Sequence, residues 1–457
     1  MNLFKLLVYA YNLNIEPSYI SFKSYLSSKW PYMNKISNTK SEYCDIDNTK
    51  CKIMSSYSYL GNHANPETQH AAVIAAMAYS SGSHGPRMLL GNTDLFQILE
   101  TKLAKFYRKD AAIVTNSGYM ASLGAIPVIA DENSVIYYDA RCHDSLMSGM
   151  KLSNAKLVKF SHNNFDNLEK KLSYSFFNVN KKIVVIESLY SMDGTIPDLY
   201  HLKKLKNKYN LIVVIDEAHG LGTLGPTGRG VEEYYNIDVS DVIVGTFSKS
   251  LSNLGGFITG SSEFIQKCEY YSQANVFTAG LSAYHVAGAT QALSVLDNKK
   301  TIMQLKENTK YMREKLNNIA GEMGFKVGGH KDSVVIPIIY KYDVLRIIDI
   351  CHEMKKMGYA IAPVLPPACS IYTPRFRITA TSWYTKKTID DFIDKFVIAN
   401  RIVDSKLDIT KIKKVNQILN VNNYLYLIFI NLVNKFRLIF KYTSIKFHKT
   451  NIHVNYI

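Results

Sequence analysis

The sequence lacks the features that mark several large classes of protein. It has no run of about 18 uninterrupted apolar residues, which argues against a conventional transmembrane helix. Its six cysteines form no Cys-x-x-Cys pair and no dense disulfide framework. We therefore expect reduced thiols, in a protein exposed to the cytosol, and no metal site. No Ala-x-Ala site follows the short apolar start, and a cleaved signal peptide is therefore not expected.

Acidic residues are scarce in one part of the chain. The 54 Lys and Arg residues outnumber the 38 Asp and Glu residues, but residues 409–457 hold eight of the basic residues and none of the acidic ones. We interpret this tail as an arm for an anionic surface, and we predict no nucleic-acid partner for the core. Within the tail, residues 424–440 are apolar with interspersed Asn, Lys and Arg, which favours a helix in the membrane interface. A helix packed on the protein's own surface is the alternative.

Apolar, β-rich runs alternate with helical patterns from residue 56 onward. The predicted strands are 111–115, 134–139, 156–161, 182–188, 211–216 and 241–246. Most show no alternation of apolar and polar residues, as expected when helices cover both faces of a parallel sheet. Helical stretches at 94–109 and 201–209 lie between them, which predicts an α/β domain with right-handed crossovers.

The pattern changes near residue 295. A long helical stretch at 302–324, strand-like runs at 333–340 and 375–381 and a helix near 343–357 predict a smaller α+β domain. The predicted organisation has four parts: an N-terminal segment at 1–55 that is a candidate for membrane association, a large α/β domain at 56–295, a small α+β domain at 296–408, and the tail at 409–457. Residues 30–55 are polar, and we expect them to be mostly irregular.

Polar groups follow three of the predicted strands, where ligands of open α/β sheets bind. Asp216 ends one strand with His219 soon after it, Glu187 ends a second, and Lys249 follows a third. Each group alone is weak support, because an Asp at a strand end is commonly a cap and a Lys there is commonly solvated.

Together these groups match the chemistry of pyridoxal phosphate (PLP). A lysine can form a Schiff base with the aldehyde, and a carboxylate can keep the pyridine nitrogen protonated. Lys249 and Asp216 are of these types. The turn at 116–122 (NSGYMAS) between a strand and a helix offers hydroxyls and backbone N–H groups for the phosphate.

The sequence resembles the α-oxoamine synthases, PLP enzymes of aminotransferase fold type I, over about residues 52–400. The motifs that carry the resemblance are SYSYLG (56–61), GPRMLLGN (85–92), SGYMAS (117–122), CHDSLMSG (142–149), ESLYSMDGTIPDL (187–199), DEAHGLGTLGPTGRGV (216–231), GTFSKS (245–250) and DSVVIPIIY (332–340). The resemblance implies the type I fold, with a large, mainly parallel-sheet domain and a smaller C-terminal α+β domain.

The resemblance also implies a role for each residue at a matching position. Lys249 would carry PLP and remove the Cα proton, and Asp216 would pair with the pyridinium. His219 would bond the phenolic oxygen of PLP, and His143 would stack on its ring. The further cofactor-binding residues would be Ser117, Gly118, Tyr119, Ser191, Thr246 and Ser248. The substrate-binding residues would be Arg377, in RFRITAT, and Tyr57, in SYSYLG.

Within the family, the motifs lie nearest to members that condense L-serine with palmitoyl-CoA or another long-chain acyl-CoA. The implied reaction is a decarboxylating condensation to 3-ketosphinganine, the first step of sphingolipid biosynthesis. The alternatives are 5-aminolevulinate synthase or another glycine- or alanine-using member, and a non-catalytic scaffold subunit, which the presence of Lys249, His143 and Asp216 disfavours. The expected assembly is a homodimer, with or without a second, non-identical subunit. The expected location is the cytosolic side of the endoplasmic reticulum membrane, or alternatively the cytoplasm.

Overall fold

The computed structural model describes residues 31–40, 42–174, 179–341, 343–366, 368–370 and 372–406. Strands in these ranges form three sheets. The strands are β1 (Ile36–Lys40), β2 (Tyr43–Ile46), β3 (Thr49–Ile53), β4 (Ala111–Thr115), β5 (Ser134–Asp139), β6 (Lys156–Phe160), β7 (Lys181–Glu187), β8 (Ile212–Asp216), β9 (Val242–Thr246), β10 (Gly256–Gly260), β11 (Lys326–Val327), β12 (Val335–Ile339), β13 (Tyr359–Ala360), β14 (Pro363–Val364) and β15 (Arg375–Thr379).

Along the sequence, most α-helices of the described residues lie between these strands. They are α1 (Pro66–Tyr79), α2 (Asp94–Tyr107), α3 (Gly118–Ile129), α4 (Asp144–Leu152), α5 (Phe165–Ser173), α6 (Leu199–Tyr209), α7 (Val231–Tyr235), α8 (Ser262–Tyr271), α9 (Gln273–Val276), α10 (Ala283–Ser294), α11 (Lys299–Ala320), α12 (Val344–Lys356) and α13 (Lys386–Lys406).

The central sheet has seven strands in the order β4-β10-β9-β8-β7-β5-β6. Five consecutive strands of this order, β9-β8-β7-β5-β6, run parallel to one another. β10 is antiparallel to both β9 and β4. The six strands predicted from sequence in this part of the chain all form, and the predicted fold class, a type I fold with a large, mostly parallel sheet, is confirmed.

Both faces of this sheet are buried, which explains why its strands read as continuous apolar runs. Along β7, Ile183 and Val185 belong to one apolar cluster, which includes residues of α3, α4 and α8. The intervening Val184 and Ile186 belong to a second cluster, which includes residues of α2, α5, α6 and α10. Successive side chains of a strand point to opposite faces, so an apolar residue is needed at every position.

The sequence pattern missed β10, the strand GFITG at 256–260. All five of its residues are buried, but it begins within the glycine pair Gly255–Gly256 and ends at Gly260, and such glycines are typical of a loop. The glycines are required by close packing, because a Cβ on Gly256 would lie 2.5 Å from the backbone of Ser117. β10 therefore brings the turn after β9 back against the start of α3.

A second sheet, β11-β12-β15-β14, is antiparallel throughout. Its two longer strands, β12 and β15, were both predicted from sequence. Phe376 of β15 packs edge-on against Phe396 of α13, which in turn contacts Phe392. The second sheet therefore has its own aromatic core. The predicted domain boundary near residue 295 stays a prediction.

The expectation that residues 30–55 are mostly irregular was wrong. They form β1, β2 and β3, which pair in a third sheet with β13. Asp47 and Asn48 connect β2 to β3 with φ angles of 48° and 65°, as in a two-residue type I′ hairpin turn. The sequence did not indicate these strands because they are short and mostly polar. A strand or helix is recognised in a sequence from a longer repeat of apolar residues.

Of the predicted N-terminal segment at 1–55, residues 1–30 lie outside the described residues, as does the whole tail at 409–457, so membrane association of either segment stays a prediction. Among the residues that the structure does describe, no helix combines the length and apolar character needed to cross a bilayer.

Candidate active site

Three polar side chains meet at the carboxyl edge of the central sheet, on adjacent strands. β7 ends at Glu187, β8 at Asp216 and β9 at Thr246, and Glu187 pairs directly with Asp216 across the sheet. Their exposed fractions are only 4%, 7% and 4%. Polar groups in such a position are costly to bury unless they have partners or a ligand. The structure thus brings the predicted strand-end residues together.

Lys249 lies in the turn between β9 and β10. The turn is closed by the Phe247 N–H group, which donates to the Gly255 carbonyl at 2.9 Å. Burial lowers the pKa of Lys249, Asp216 opposes that change, and the positive charge of Arg377 adds to it. A lowered pKa makes the free amine more available, and the free amine is the form that attacks an aldehyde.

The two buried carboxyl groups beside this lysine share one environment. Burial raises the pKa of Asp216, while Lys249 and the Ala218 N–H group, 2.8 Å from Oδ1, oppose the rise. Burial raises the pKa of Glu187 well above its ordinary range, and the charge of Asp216 raises it further. Because two adjacent negative charges repel, we assign the proton to Glu187 and the negative charge to Asp216.

The N-terminus of α3 faces Thr246 at the end of β9. Ser117 caps this helix, and its Oγ accepts from the Met120 N–H group at 3.1 Å. Thr246 Oγ1 lies 2.8 Å from Ser248 Oγ. A Cβ on Gly118 would lie 2.7 Å from Thr246 Cβ, so only glycine allows this approach. Hydroxyls at the N-terminus of a 12-residue helix form a cradle suited to a phosphate.

Two predicted cofactor-binding side chains are exposed. Tyr119 is 42% exposed, and its hydroxyl lies 2.7 Å from Ser148 Oγ. Its side chain therefore contacts Ser148. His143 caps α4, where its Nδ1 accepts from the Ser145 N–H group at 3.2 Å. The His143 N–H group donates to Glu187 Oε1 at 2.6 Å. Stacking of His143 on a cofactor ring stays a prediction.

Arg377 lies inside β15 and faces the strand-end groups. Its Nε donates to the Ser191 carbonyl at 2.7 Å, and its guanidinium carbon lies 4.3 Å from the centroid of the Tyr57 ring. Lys249 Nζ lies 5.8 Å from the same centroid. The predicted substrate-binding pair, Arg377 and Tyr57, is therefore brought next to Lys249.

Tyr59 is a site residue that the sequence did not reveal. It is fully buried, accepts from Arg377 Nη2 at 3.2 Å, and lies with its hydroxyl 2.8 Å from Nδ1 of His219. Tyr57 and Tyr59 belong to the same motif, SYSYLG, and nothing in that motif distinguishes their surroundings. Only the fold shows that Tyr59 joins the predicted substrate-binding arginine to His219.

Asp193 is a second residue that was missed. Its Oδ1 lies 2.9 Å from Nη1 of Arg375 and 2.6 Å from Nη1 of Arg141. Arg375 precedes Arg377 on β15 by two positions, and Arg141 precedes His143 by two. The motif SMDG and the first arginine of RFR were the available signals, but their pairing requires three distant segments to meet.

These residues fit PLP. Its aldehyde requires an amine, its ring nitrogen an anion and its phosphate a cradle of donors, and these are provided by Lys249, Asp216 and the turn at 117–118 with Thr246. Gly118 allows the cradle to form from both elements, since a larger residue would separate the helix end from the strand end.

Comparison with known proteins agrees with this fit. Residues 50–396 match the model of the family described as aminotransferase class I and II. The chain is 32% identical over 377 residues to a serine palmitoyltransferase of Bacteroides ovatus, covering 82% of this chain and 94% of that one. It is 35% identical over 339 residues to a putative 8-amino-7-oxononanoate synthase of Desulforudis audaxviator, covering 74% and 86%.

Solved structures give the same result. The serine palmitoyltransferase of Sphingomonas wittichii matches with a TM-score of 0.81 at 27% identity, covering 86% of this chain and 98% of that chain. A serine palmitoyltransferase variant from S. paucimobilis with PLP and myriocin bound matches with a TM-score of 0.80 at 28% identity, covering 85% and 98%. The predicted resemblance and the predicted PLP dependence are confirmed. The chain belongs to the aminotransferase class I and II family, as a PLP-dependent acyltransferase of the α-oxoamine synthase type.

Proposed function

We propose that the protein is a serine C-palmitoyltransferase, which condenses L-serine with a long-chain acyl-CoA to give 3-ketosphinganine, CoA and CO₂. One observation carries the proposal: Arg377 and Lys249 lie over the same Tyr57 ring, 4.3 Å and 5.8 Å from its centroid. An amino acid held by its carboxylate at Arg377 therefore has its α-carbon near Lys249. Relatives named serine palmitoyltransferase, which match 82% of the chain, favour serine and palmitoyl-CoA as the substrates.

Arg377 is suited to bind the substrate carboxylate. The residue is 3% exposed, and a planar guanidinium can bind a carboxylate through two parallel hydrogen bonds. The Ser191 carbonyl and the Tyr57 ring hold the guanidinium in one orientation. This fixed orientation positions the substrate before reaction, which lowers the entropy cost of reaching the transition state.

Lys249 is suited to move the Cα proton. Its lowered pKa leaves an amine that accepts a proton at moderate pH, and Asp216 nearby stabilises the ammonium that results. When bound, PLP supplies an electron sink for the negative charge that develops at Cα. Asp216 would pair with the ring nitrogen of the bound cofactor through its negative charge, and the surrounding buried residues would exclude water from the reacting carbon.

The test is an assay of purified holoprotein with L-serine and palmitoyl-CoA. We expect CoA, CO₂ from carboxyl-labelled serine and 3-ketosphinganine in equal amounts, and none of them from the Lys249→Ala variant. The same assay with glycine or L-alanine should give lower kcat/KM values.

The 8-amino-7-oxononanoate synthase relatives define the competing outcome. A nine-carbon 8-amino-7-oxo acid corresponds to alanine joined to a seven-carbon dicarboxylic acyl group with loss of CO₂. Faster turnover of L-alanine with that acyl-CoA than of L-serine with palmitoyl-CoA would contradict the proposal and assign the chain to this other activity.

A homodimer is the assembly we propose. Large apolar side chains are strongly exposed near the phosphate cradle: Leu89, Leu90 and Phe277 are exposed by 74–81%, and their neighbours Met88 and Thr278 line one groove with Asn116. Next to them, Asn116 Nδ2 donates to the Ala279 carbonyl at 2.7 Å, one residue before the cradle. A second copy covering this patch would border the active site. Light scattering of the purified protein should give the mass of a dimer for the wild type and the mass of a monomer for the double variant Leu89→Lys, Leu90→Lys. A complex heavier than this dimer, isolated from the native host, would indicate a second, non-identical subunit.

Membrane-surface binding by the tail at 409–457 is proposed from its charge, and it would place the enzyme on the cytosolic side of the endoplasmic reticulum membrane. Flotation with vesicles containing anionic lipid should recover the full chain, and deletion of the tail should abolish recovery. Recovery of the deleted form would contradict membrane binding by the tail, and failure of the full chain to float would leave a cytoplasmic location as the alternative.

A further inference from the structure

Three buried groups form a hydrogen-bonded chain from the substrate side of the site to the cofactor side. Arg377 Nη2 donates to Tyr59 Oη at 3.2 Å, and Tyr59 Oη lies 2.8 Å from Nδ1 of His219. The three residues are 3%, 0% and 5% exposed, so bulk water does not compete for these contacts. The hydrogens of the chain can therefore be assigned from its donors and acceptors.

The assignment begins at the guanidinium, which can only donate. Because Arg377 donates to Tyr59 Oη, that oxygen directs its own hydrogen to its other neighbour, Nδ1 of His219. Nδ1 is then an acceptor, and the neutral imidazole carries its hydrogen on Nε2. An Nε2–H group is the donor that the predicted bond from His219 to the phenolic oxygen of PLP requires.

The surroundings keep both rings of the chain uncharged. Burial lowers the pKa of His219 well below its ordinary range, and the nearby Lys249, Arg377 and His143 lower it further. Burial raises the pKa of Tyr59 to about 12, although Arg377 opposes the rise. The other titratable groups around His219 are Tyr57, with its ring centroid 5.9 Å away, and Asp216 at the end of the preceding strand.

We propose that Tyr59 is a positioning residue that couples carboxylate binding at Arg377 to the hydrogen bond donated by His219 to the cofactor's phenolic oxygen. The inference rests on the proposed function, because it takes Arg377 as the carboxylate site. A bound carboxylate draws the guanidinium's donors toward itself and weakens their donation to Tyr59. Since hydrogen bonds in a chain polarise one another, the Tyr59 O–H and the His219 Nε2–H weaken in turn. The cofactor thereby senses the substrate carboxylate through protein groups.

The test measures the visible absorbance of bound PLP as a function of pH, a readout that does not depend on turnover, and its result is the pH midpoint of the absorbance change. The probe is 3-hydroxypropanoate, which has the carboxylate and hydroxyl of serine but no amine, and the control compound is 1,3-propanediol, which lacks the carboxylate. For the wild type, we expect the carboxylate to raise the titration midpoint by about half a pH unit and the diol to leave it unchanged. A weaker donor at the phenolic oxygen makes its negative charge less stable, so the midpoint moves upward.

For Tyr59→Phe, we expect a raised midpoint without ligand, by about half a unit or more, and a ligand-induced shift at most half that of the wild type. Part of the shift remains, because the carboxylate also screens the charge of Arg377 through space. The matched control is Tyr384→Phe, which removes another fully buried hydroxyl, one that donates to the Ile53 carbonyl at 2.5 Å. This control should keep the wild-type midpoint and the wild-type shift.

Replacement of Tyr59 by 3-fluorotyrosine keeps its shape and strengthens it as a donor, so the midpoint should fall; this variant serves if Tyr59→Phe does not fold. A wild type without a carboxylate-induced shift, a Tyr59→Phe shift above half the wild-type value, or an unchanged midpoint with fluorotyrosine overturns the inference. These outcomes differ from failure of the proposed function, which is absence of 3-ketosphinganine formation by the wild type.

Discussion

The two sides of the active site are built from different parts of their strands. On the cofactor side, Asp216 and Thr246 each end a strand of the parallel sheet, and Lys249 follows one of those strands. On the substrate side, Arg377 lies in the middle of antiparallel β15, where all five residues are buried. The cofactor side takes its positions from backbone topology, because parallel strands end at one edge. The substrate side takes its positions from side-chain hydrogen bonds between distant segments.

This difference predicts how each side responds to substitution. Residues at the strand ends keep their places when a neighbour changes, so their replacement should affect the chemistry itself. Residues on the substrate side hold one another, so replacement of one should change binding of the amino acid and leave the cofactor in place. Four variants, in order of decreasing effect, test that separation.

Asp216→Asn should have the largest effect, a loss on the order of 10³-fold in kcat with PLP still bound. Asparagine keeps the shape and can still accept from the Ala218 N–H group, but it does not stabilise a positive charge on the ring nitrogen. Steady-state kinetics and the visible spectrum of the purified variant measure both effects. The matched control is Asp238→Asn, since Asp238 has a side chain that is 85% exposed and pairs with Lys109 at 3.0 Å. A kcat within about tenfold of wild type for Asp216→Asn would contradict the assigned role.

Arg377→Gln should act mainly on serine binding. Glutamine can still donate to the Ser191 carbonyl but loses the charged, forked contact, so we expect KM for serine to rise about 10- to 100-fold with a smaller change in kcat. The PLP spectrum without serine should keep its intensity. A loss of PLP comparable to the loss of serine binding would show that the two sides of the site are not separable.

Gly118→Ala tests the cofactor side without changing any charge. The added Cβ would lie 2.7 Å from Thr246 Cβ, so the start of α3 must move away from the end of β9. We expect the Kd for PLP to rise about tenfold, the effect of one weakened phosphate contact, with KM for serine unchanged at saturating PLP. Gly82→Ala is the control, since a Cβ there meets no atom within 4 Å. An unchanged Kd would show that the turn at 117–118 does not bind the phosphate of PLP.

Strand-end residues could be predicted from sequence because one local pattern, an apolar run followed by a polar group, marks them. Asp216, Thr246 and Lys249 were found in this way, and the parallel arrangement of their strands then places them together. Tyr59 could not be found in the same way. It is 318 positions from Arg377, and its burial depends on how separate segments pack.

The same limit explains the errors in the fold. β10 was missed because its first glycine, Gly256, is needed for close packing against Ser117, and a glycine pair in sequence usually indicates a loop. β1 to β3 were missed because short polar strands gain their stability from pairing, including the parallel pairing of β3 with β13 some 300 residues later. Tertiary contacts decide both cases, and a local pattern does not contain them.

Asp193→Asn should have the smallest effect and tests the link between the two sides. Its carboxylate joins Arg375, whose side chain is 7% exposed, to Arg141, whose side chain is 49% exposed. The amide oxygen of asparagine can still accept from Arg375, and the half-exposed ion pair with Arg141 contributes little, so we expect KM for serine to rise only about three- to fivefold. Kinetics and thermal unfolding measure the effect, with Asp390→Asn as the control because Asp390 pairs with Lys315 at 2.9 Å on the surface. An unchanged KM would mean that pairing of β15 with β12 alone positions Arg377, and the substrate side would then depend on backbone topology as the cofactor side does.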